Sequence, residues 1–192
     1  MNLKKGYSAT VCLVVVALFC VGCATKVQYG DPTAQETLTV DFGSTDLQLI
    51  AEKMVHSLLA SPVIKERHRP ILQVASIKNK TNEHIDTKSI TDKIRTTLLN
   101  SGVVQFTASE IRREVIEELE YQRESDYVDP KTQKRKGRHV GTDFLLTGEI
   151  TAIKKQKGRT KDVYYKITLN LVDLETALIA WADEKEIRKG ED

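Results

Sequence analysis

The stretch Val163-Tyr-Tyr-Lys-Ile-Thr-Leu-Asn-Leu-Val172 decides the fold class. Its apolar members Val163, Tyr165, Ile167, Leu169 and Leu171 alternate with Tyr164, Lys166, Thr168 and Asn170. A period of two places the first set on one face of a half-buried strand. Upstream, Asp143–Ile153 reads as a second strand, with Lys154–Asp162 as a charged turn between them. Downstream, Asp173–Thr176 reads as a turn and Leu178–Ile187 as a further strand. Consecutive strands joined by turns predict an antiparallel meander.

Ahead of the meander the period lengthens. Leu47, Ile50, Ala51, Met54, Val55, Leu58 and Leu59 recur at helical spacing, with cap candidates in Ser44–Asp46 and Pro62 just past the end. Pro70–Ile77 reads as a strand, broken by the polar run Lys78–Asn82. Asp86 or Thr87 caps a second helix with Ile90, Ile94 and Leu98 inward, and Gly102 stops it. Val103–Phe106 is a short strand. Thr107 and Glu110 have capping-box spacing and open a third helix whose stripe is Ile111, Val115 and Leu119. Residues 125–141 are mostly loop. The class is α/β or α+β: one mixed sheet of about four to five strands, ending in the meander and flanked by helices.

The N-terminus carries a different message. Lys4 and Lys5 precede the unbroken apolar run Val11–Val21, and Val21-Gly22-Cys23 follows before the chain turns polar. That order is a secretory signal, and the run falls short of the roughly 20 residues a membrane span needs. A cysteine directly after the small residue resembles a lipobox, so residues 1–22 read as a lipoprotein signal peptide with Cys23 as the lipidated residue. An uncleaved membrane anchor is the competing reading. The remaining cysteines, Cys12 and Cys20, would leave with the signal, so the mature chain would hold no thiol for redox or metal chemistry. Residues 23–43 read as lipidated cysteine and flexible tether, interrupted by Gly30, Asp31 and Pro32. That tether spans at most about 70 Å stretched and about 25 Å relaxed. It should tolerate shortening without harm to the fold. Residues 44–192 suit one periplasmic domain.

Lys and Arg number 29 against 27 Asp and Glu, and the signal removes Lys4 and Lys5 with no acid. A near-neutral secreted domain is not expected to bind nucleic acid. His56, His68, His84 and His139 share no ligand spacing, and no nucleophile, zinc or phosphate-loop motif appears. No catalytic group, cofactor or metal site is therefore expected. The acidic run from Glu110 to Glu124 reads as the solvated side of a helix. Two basic clusters are candidates for meeting a partner or an anionic polymer such as peptidoglycan. One comprises Lys131, Lys134, Arg135, Lys136 and Arg138, and the other Lys154, Lys155 and Arg159 with their neighbours. Trp181 reads as core in preference to an exposed anchor.

The order and wording of the elements resemble the LpoB family of outer-membrane lipoproteins, which activate a bifunctional penicillin-binding protein. The likeness covers roughly residues 45–189 and rests on Lys78-Asn-Lys-Thr-Asn82, Gly141-Thr-Asp-Phe-Leu-Leu-Thr-Gly-Glu149, Thr168-Leu-Asn-Leu-Val-Asp-Leu-Glu-Thr176 and Ile179-Ala-Trp-Ala-Asp-Glu-Lys-Glu-Ile187. It implies a sheet flanked by helices, similar to the N-terminal domain of TolB and part of the curli export channel. It also implies an outer-membrane lipoprotein facing the periplasm, tied to the membrane by its lipid, with the synthase as partner. The alternative it suggests is a subunit or accessory lipoprotein of an outer-membrane secretion system like the curli channel. Two features depart from the family pattern: the tether is short, and Ala177 stands where the last hairpin turn usually carries Gly. If that position needed positive φ, Ala would cost about 1 kcal/mol relative to Gly, so a shifted turn type is expected.

Overall fold

The computed structural model describes residues 28–36 and 39–191, so the signal and Cys23 lie outside the described residues. The chain divides into two units, Met1–Ala34 and Gln35–Asp192. In the first, residues 28–34 are irregular and exposed, with a turn in which the Asp31 carboxylate accepts from the Thr33 N–H at 2.8 Å.

The second unit is a five-stranded mixed sheet, order β2-β1-β3-β4-β5, with helices against it. The strands are β1 (Ile71–Asn79), β2 (Gln105–Phe106), β3 (Phe144–Lys157), β4 (Thr160–Asp173) and β5 (Ile179–Glu191). The helices are α1 (Ser44–Ala60), the short α2 (Pro62–Lys65), α3 (Thr87–Asn100) and α4 (Arg112–Glu124), with a 3-10 turn at Ser109–Ile111. β1 pairs in parallel with β2 and β3, as the crossover through α3 requires, while β3, β4 and β5 form the expected antiparallel meander.

The core lies between the helices and one sheet face. α1 buries Ile50, Ala51, Met54, Val55 and Leu58, and α3 buries Ile90, Ile94 and Leu98. They meet Val163, Tyr165, Ile167, Leu169 and Leu171, the odd set of the alternating strand. Tyr164, Lys166, Thr168 and Asn170 stay partly exposed on the other face. Trp181 pairs with Leu171 and packs at the core margin.

The core also recruits residues read as tether. Val40 is buried and Phe42 packs edge-on against the Tyr165 ring, centroids 5.7 Å apart. Glu36 accepts from the Ser44 N–H at 2.8 Å, so its carboxylate takes over the cap at the start of α1. A Cβ at Gly43 would fall 2.2 Å from that carboxylate, the far end of a flexible side chain that would have to shift. The tether therefore cannot be cut up to Gly43 without removing core and cap.

Several local expectations give way to longer-range terms. Lys154–Asp162 is mostly strand: β3 runs to Lys157, β4 starts at Thr160, and only Gly158-Arg159 turns. Gly158, at φ 63, supplies the positive φ that a two-residue hairpin wants at its first position. The capping box at Thr107 does not form. The Thr107 N–H donates to the Leu72 carbonyl and Glu110 turns to Arg95, so the helix begins only at Arg112. The stripe of that helix is only partly covered: Val115 and Leu119 are half-buried, no residue of α4 is fully buried, and Ile111 before it is 52% exposed. Ala177 keeps φ at 60, so the final turn has not shifted type. The Asp173 carboxylate accepts from the Glu175 and Thr176 N–H groups, both at 3.0 Å, and the Ala177 N–H donates to the Asp173 carbonyl at 2.9 Å. These bonds hold the alanine in the left-handed region.

Candidate functional site

The two basic clusters do not come together. Lys131, Lys134, Arg135, Lys136 and Arg138 lie in the loop before β3, and Lys155 and Arg159 lie at the β3–β4 hairpin after it. Most of β3 lies between them in the chain.

At the hairpin end Lys154 is engaged, while Lys155 and Arg159 enter no salt bridge among the described residues. Lys154 Nζ bonds the Glu83 carboxylate at 2.7 Å and that of Asp41 at 3.1 Å. Glu83 also accepts from the Phe42 N–H at 3.1 Å and from the Tyr165 hydroxyl. Burial would raise the Glu83 carboxyl, but the bonds from Lys154, Tyr165 and Phe42 outweigh it and hold the group below its ordinary value. Tyr165 is pushed up, first by burial and then by the Glu83 charge. Beside it, Lys189 Nζ reaches the Asp41 carbonyl at 2.6 Å and the buried Asp46 at 2.7 Å. Together these groups clasp residues 40–43 to the sheet. Glu83 and Tyr165 stand 82 positions apart, which is why no sequence spacing announced them.

The far end is built differently. Two shallow grooves, of about 350 and 270 Å³, flank β2 and share Phe106, Thr107 and Ala108. The larger is floored by Ile71, Phe106, Val115 and Val140, and its ionisable lining is Arg112 and His139, with no carboxylate. Arg112 reaches across to Gln73 on β1 at 3.4 Å, and Thr107 and Thr142 hydroxyls lie 3.3 Å apart. These contacts set the start of α4 and residues 139–142 on either side of the β2 strand end. Val140 is 68% exposed there. His56, His68 and His84 are exposed and lie on other elements.

The motif residues turn out to shape the scaffold. Asp143 accepts from the Ile71 N–H at 2.7 Å and so fixes β1 against β3. Asn79 accepts from the Thr81 N–H at 2.9 Å and donates to the Glu83 carbonyl at 2.8 Å, closing the connection into α3. Gly148 leaves no room for a side chain: a Cβ would lie 2.2 Å from the Thr168 carbonyl oxygen.

A family profile described as "Peptidoglycan-synthase activator LpoB" matches residues 46–187. Among solved structures, the LpoB C-terminal domain of Salmonella enterica aligns at 16% identity and TM-score 0.45, covering 74% of this chain and 98% of that one. The corresponding Escherichia coli domain aligns at 18% identity and the same TM-score and coverages. A PelC dodecamer from Paraburkholderia phytofirmans aligns at 15% identity and TM-score 0.37, covering 64% of this chain and 74% of that one. Comparison with curated proteins gives no match.

Proposed function

The chain belongs to the LpoB family of peptidoglycan-synthase activators, and from that premise we propose that it is an outer-membrane lipoprotein that binds and activates a bifunctional penicillin-binding protein. The single observation that carries this reading is the family match over residues 46–187, nearly the whole of the unit Gln35–Asp192. The signal pattern ending at Cys23 supports export and lipidation.

The reading gives the chain no chemistry of its own. An activator of this kind works by differential binding: the domain prefers the active conformation of the enzyme and shifts its population toward it. The alternative, a subunit of an outer-membrane secretion system, draws no support from the family match.

Reach sets the conditions. With Glu36, Val40 and Phe42 held by the domain, the tether left from Ala24 to Gln35 stretches to about 40 Å and relaxes to about 20 Å. A synthase rooted in the inner membrane must then extend outward, or be met where the envelope is narrow.

The test is reconstitution. Purified bifunctional synthase and lipid II are combined with and without the full chain, and glycan polymerisation and cross-linking are followed with time. A rise in either rate that saturates with the added chain is expected. No binding and no rate change with any bifunctional synthase of the same cell would end the proposal.

A further inference from the structure

Three features at the β2 end of the sheet serve no evident purpose in stability. The first is α4, an amphipathic helix that fully buries none of its residues and half-buries only Val115 and Leu119 of its apolar ones. Ile116 and Tyr121 on it are 42% and 51% exposed, although a helix in a small domain is stabilised mainly by packing its apolar face. The second is the outer edge of β2. Gln105 and Thr107 donate their N–H groups to the carbonyls of Pro70, just before β1, and Leu72 on it, so by strand alternation the N–H and carbonyl of Phe106 face outward. The third is the apolar groove beside that edge, about 350 Å³ and floored by Ile71, Phe106, Val115 and Val140. That is the size of a recognition pocket.

The opposite edge of the sheet shows what a guarded edge looks like. β5 presents Asp183, Glu184, Lys185, Glu186, Arg188 and Lys189 within a few positions. Charges of this density are how proteins block unwanted strand pairing. β2 has none: its residues are Gln105 and Phe106.

Charge identifies the occupant. The ionisable groups lining the groove are Arg112 and His139, and Arg138 adjoins them in the chain. Lys131, Lys134, Arg135 and Arg138 form no salt bridge among the described residues, and Arg112 meets only the neutral Gln73 at 3.4 Å. Of the nearby carboxylates, Glu110 before α4 pairs with Arg95 and Lys88, Glu117 with Arg113, and Glu120 with Lys136, while Glu114, Glu118 and Glu124 form no ion pair among the described residues but do not line this groove. An apolar floor under uncompensated cations suits an apolar side chain flanked by carboxylates.

We propose that the groove between β2, the start of α4 and residues 139–140 receives an extended, acidic segment of the activated synthase. The segment adds to the outer edge of β2 and seats an apolar side chain over Phe106. This rests on the activator reading above. The pairing can extend only over a short edge, so the apolar anchor and the Arg112 contact supply most of the affinity and the backbone bonds set the register.

The experiment measures binding of the purified full chain, in detergent, to purified bifunctional synthase. Val140→Glu places a charge on an exposed floor position, and Arg112→Glu reverses the cation. Each is expected to weaken binding by about tenfold or more, as loss of a central anchor does. Lys65→Glu, an exposed reversal on α2, should leave binding within about twofold, as rim charges usually do. Melting temperatures must match the parent; a variant that melts lower is replaced by Val140→Ala or Arg112→Ala, for which a smaller loss is expected. Amide exchange at Phe106 should slow when the synthase is bound. If the parent binds and the groove variants bind equally well, the docking site is wrong and the activator reading stands. If the parent binds no synthase, the activator reading falls, and this site with it. If the groove variants lose affinity for purified sacculi while keeping the synthase, the groove serves cell-wall polymer and the proposal is overturned.

Discussion

Replacing Ala177 by Gly should stabilise the domain. Ala177 has φ 60, in the left-handed region. There the Cβ of an L-residue crowds its own backbone at a cost of about 1–2 kcal/mol. The methyl group is exposed, so its removal forfeits no packing. Against the gain stands the extra freedom of glycine in the unfolded chain, about 0.5–1 kcal/mol. The net is a stabilisation of about 0.5–1 kcal/mol, or about 1–4 °C in Tm for a unit of this size. The turn should not rearrange, because Asp173 still accepts from Glu175 and Thr176. Urea denaturation followed by circular dichroism measures the change, with Ala182→Gly as the control. Ala182 is also exposed but sits in β5 with ordinary φ, so there the same substitution should destabilise by about 0.5–1 kcal/mol. Opposite signs at the two positions are the expected outcome. Two losses of equal size would refute the left-handed placement of Ala177 and restore the shifted turn.

Gly148→Ala should destabilise by about 3 kcal/mol or more, because the new methyl meets the Thr168 backbone at 2.2 Å; a melt within 1 °C of the parent would contradict this packing. Glu83→Gln should cost about 1.5–3 kcal/mol near neutral pH, since it breaks charge-assisted bonds that clasp residues 40–43. The Glu83 carboxyl is held below its ordinary 4.5 in the fold. Its contribution is therefore fully present above that value and lost as pH falls through the lower one, so parent and variant should converge in acid. A gap that persists at about pH 2 would show that the charge is not responsible. Cys23→Ser should release the chain from membranes, and full retention in the membrane fraction would refute lipid anchoring. Deleting about eight residues within Ala24–Gln35 should abolish activity in cells and spare binding of the purified chain, because effective concentration collapses once a tether cannot span its sites; unchanged activity in cells would place the partner within easy reach of the anchor.

The elements that depend on neighbours in the chain were legible without a structure. The period of Val163–Val172 specified the buried face of β4, and the periods of Leu47–Leu59 and Ile90–Leu98 specified α1 and α3. Asp86 capped α3 as its spacing said. These readings hold because caps and amphipathic faces are settled within a few residues. Capping-box spacing misled at Thr107 because β1 competes for its N–H, and strand pairing over β3 and β4 won against the charged run after Ile153. The candidate surface was half legible. The basic loop was visible in the sequence, but its neighbours were not: Phe106, Arg112 and Val140 meet only after β2 has paired with β1 and residues 139–142 have crossed to the same edge. The clasp of Glu83, Tyr165 and Lys154 on residues 40–43 likewise joins distant segments. Composition and local period determined that a sheet with helices would form. Which polar groups share a site, and which apolar face is left open, were decided by tertiary pairing, because those contacts depend on strand order, which local sequence does not encode.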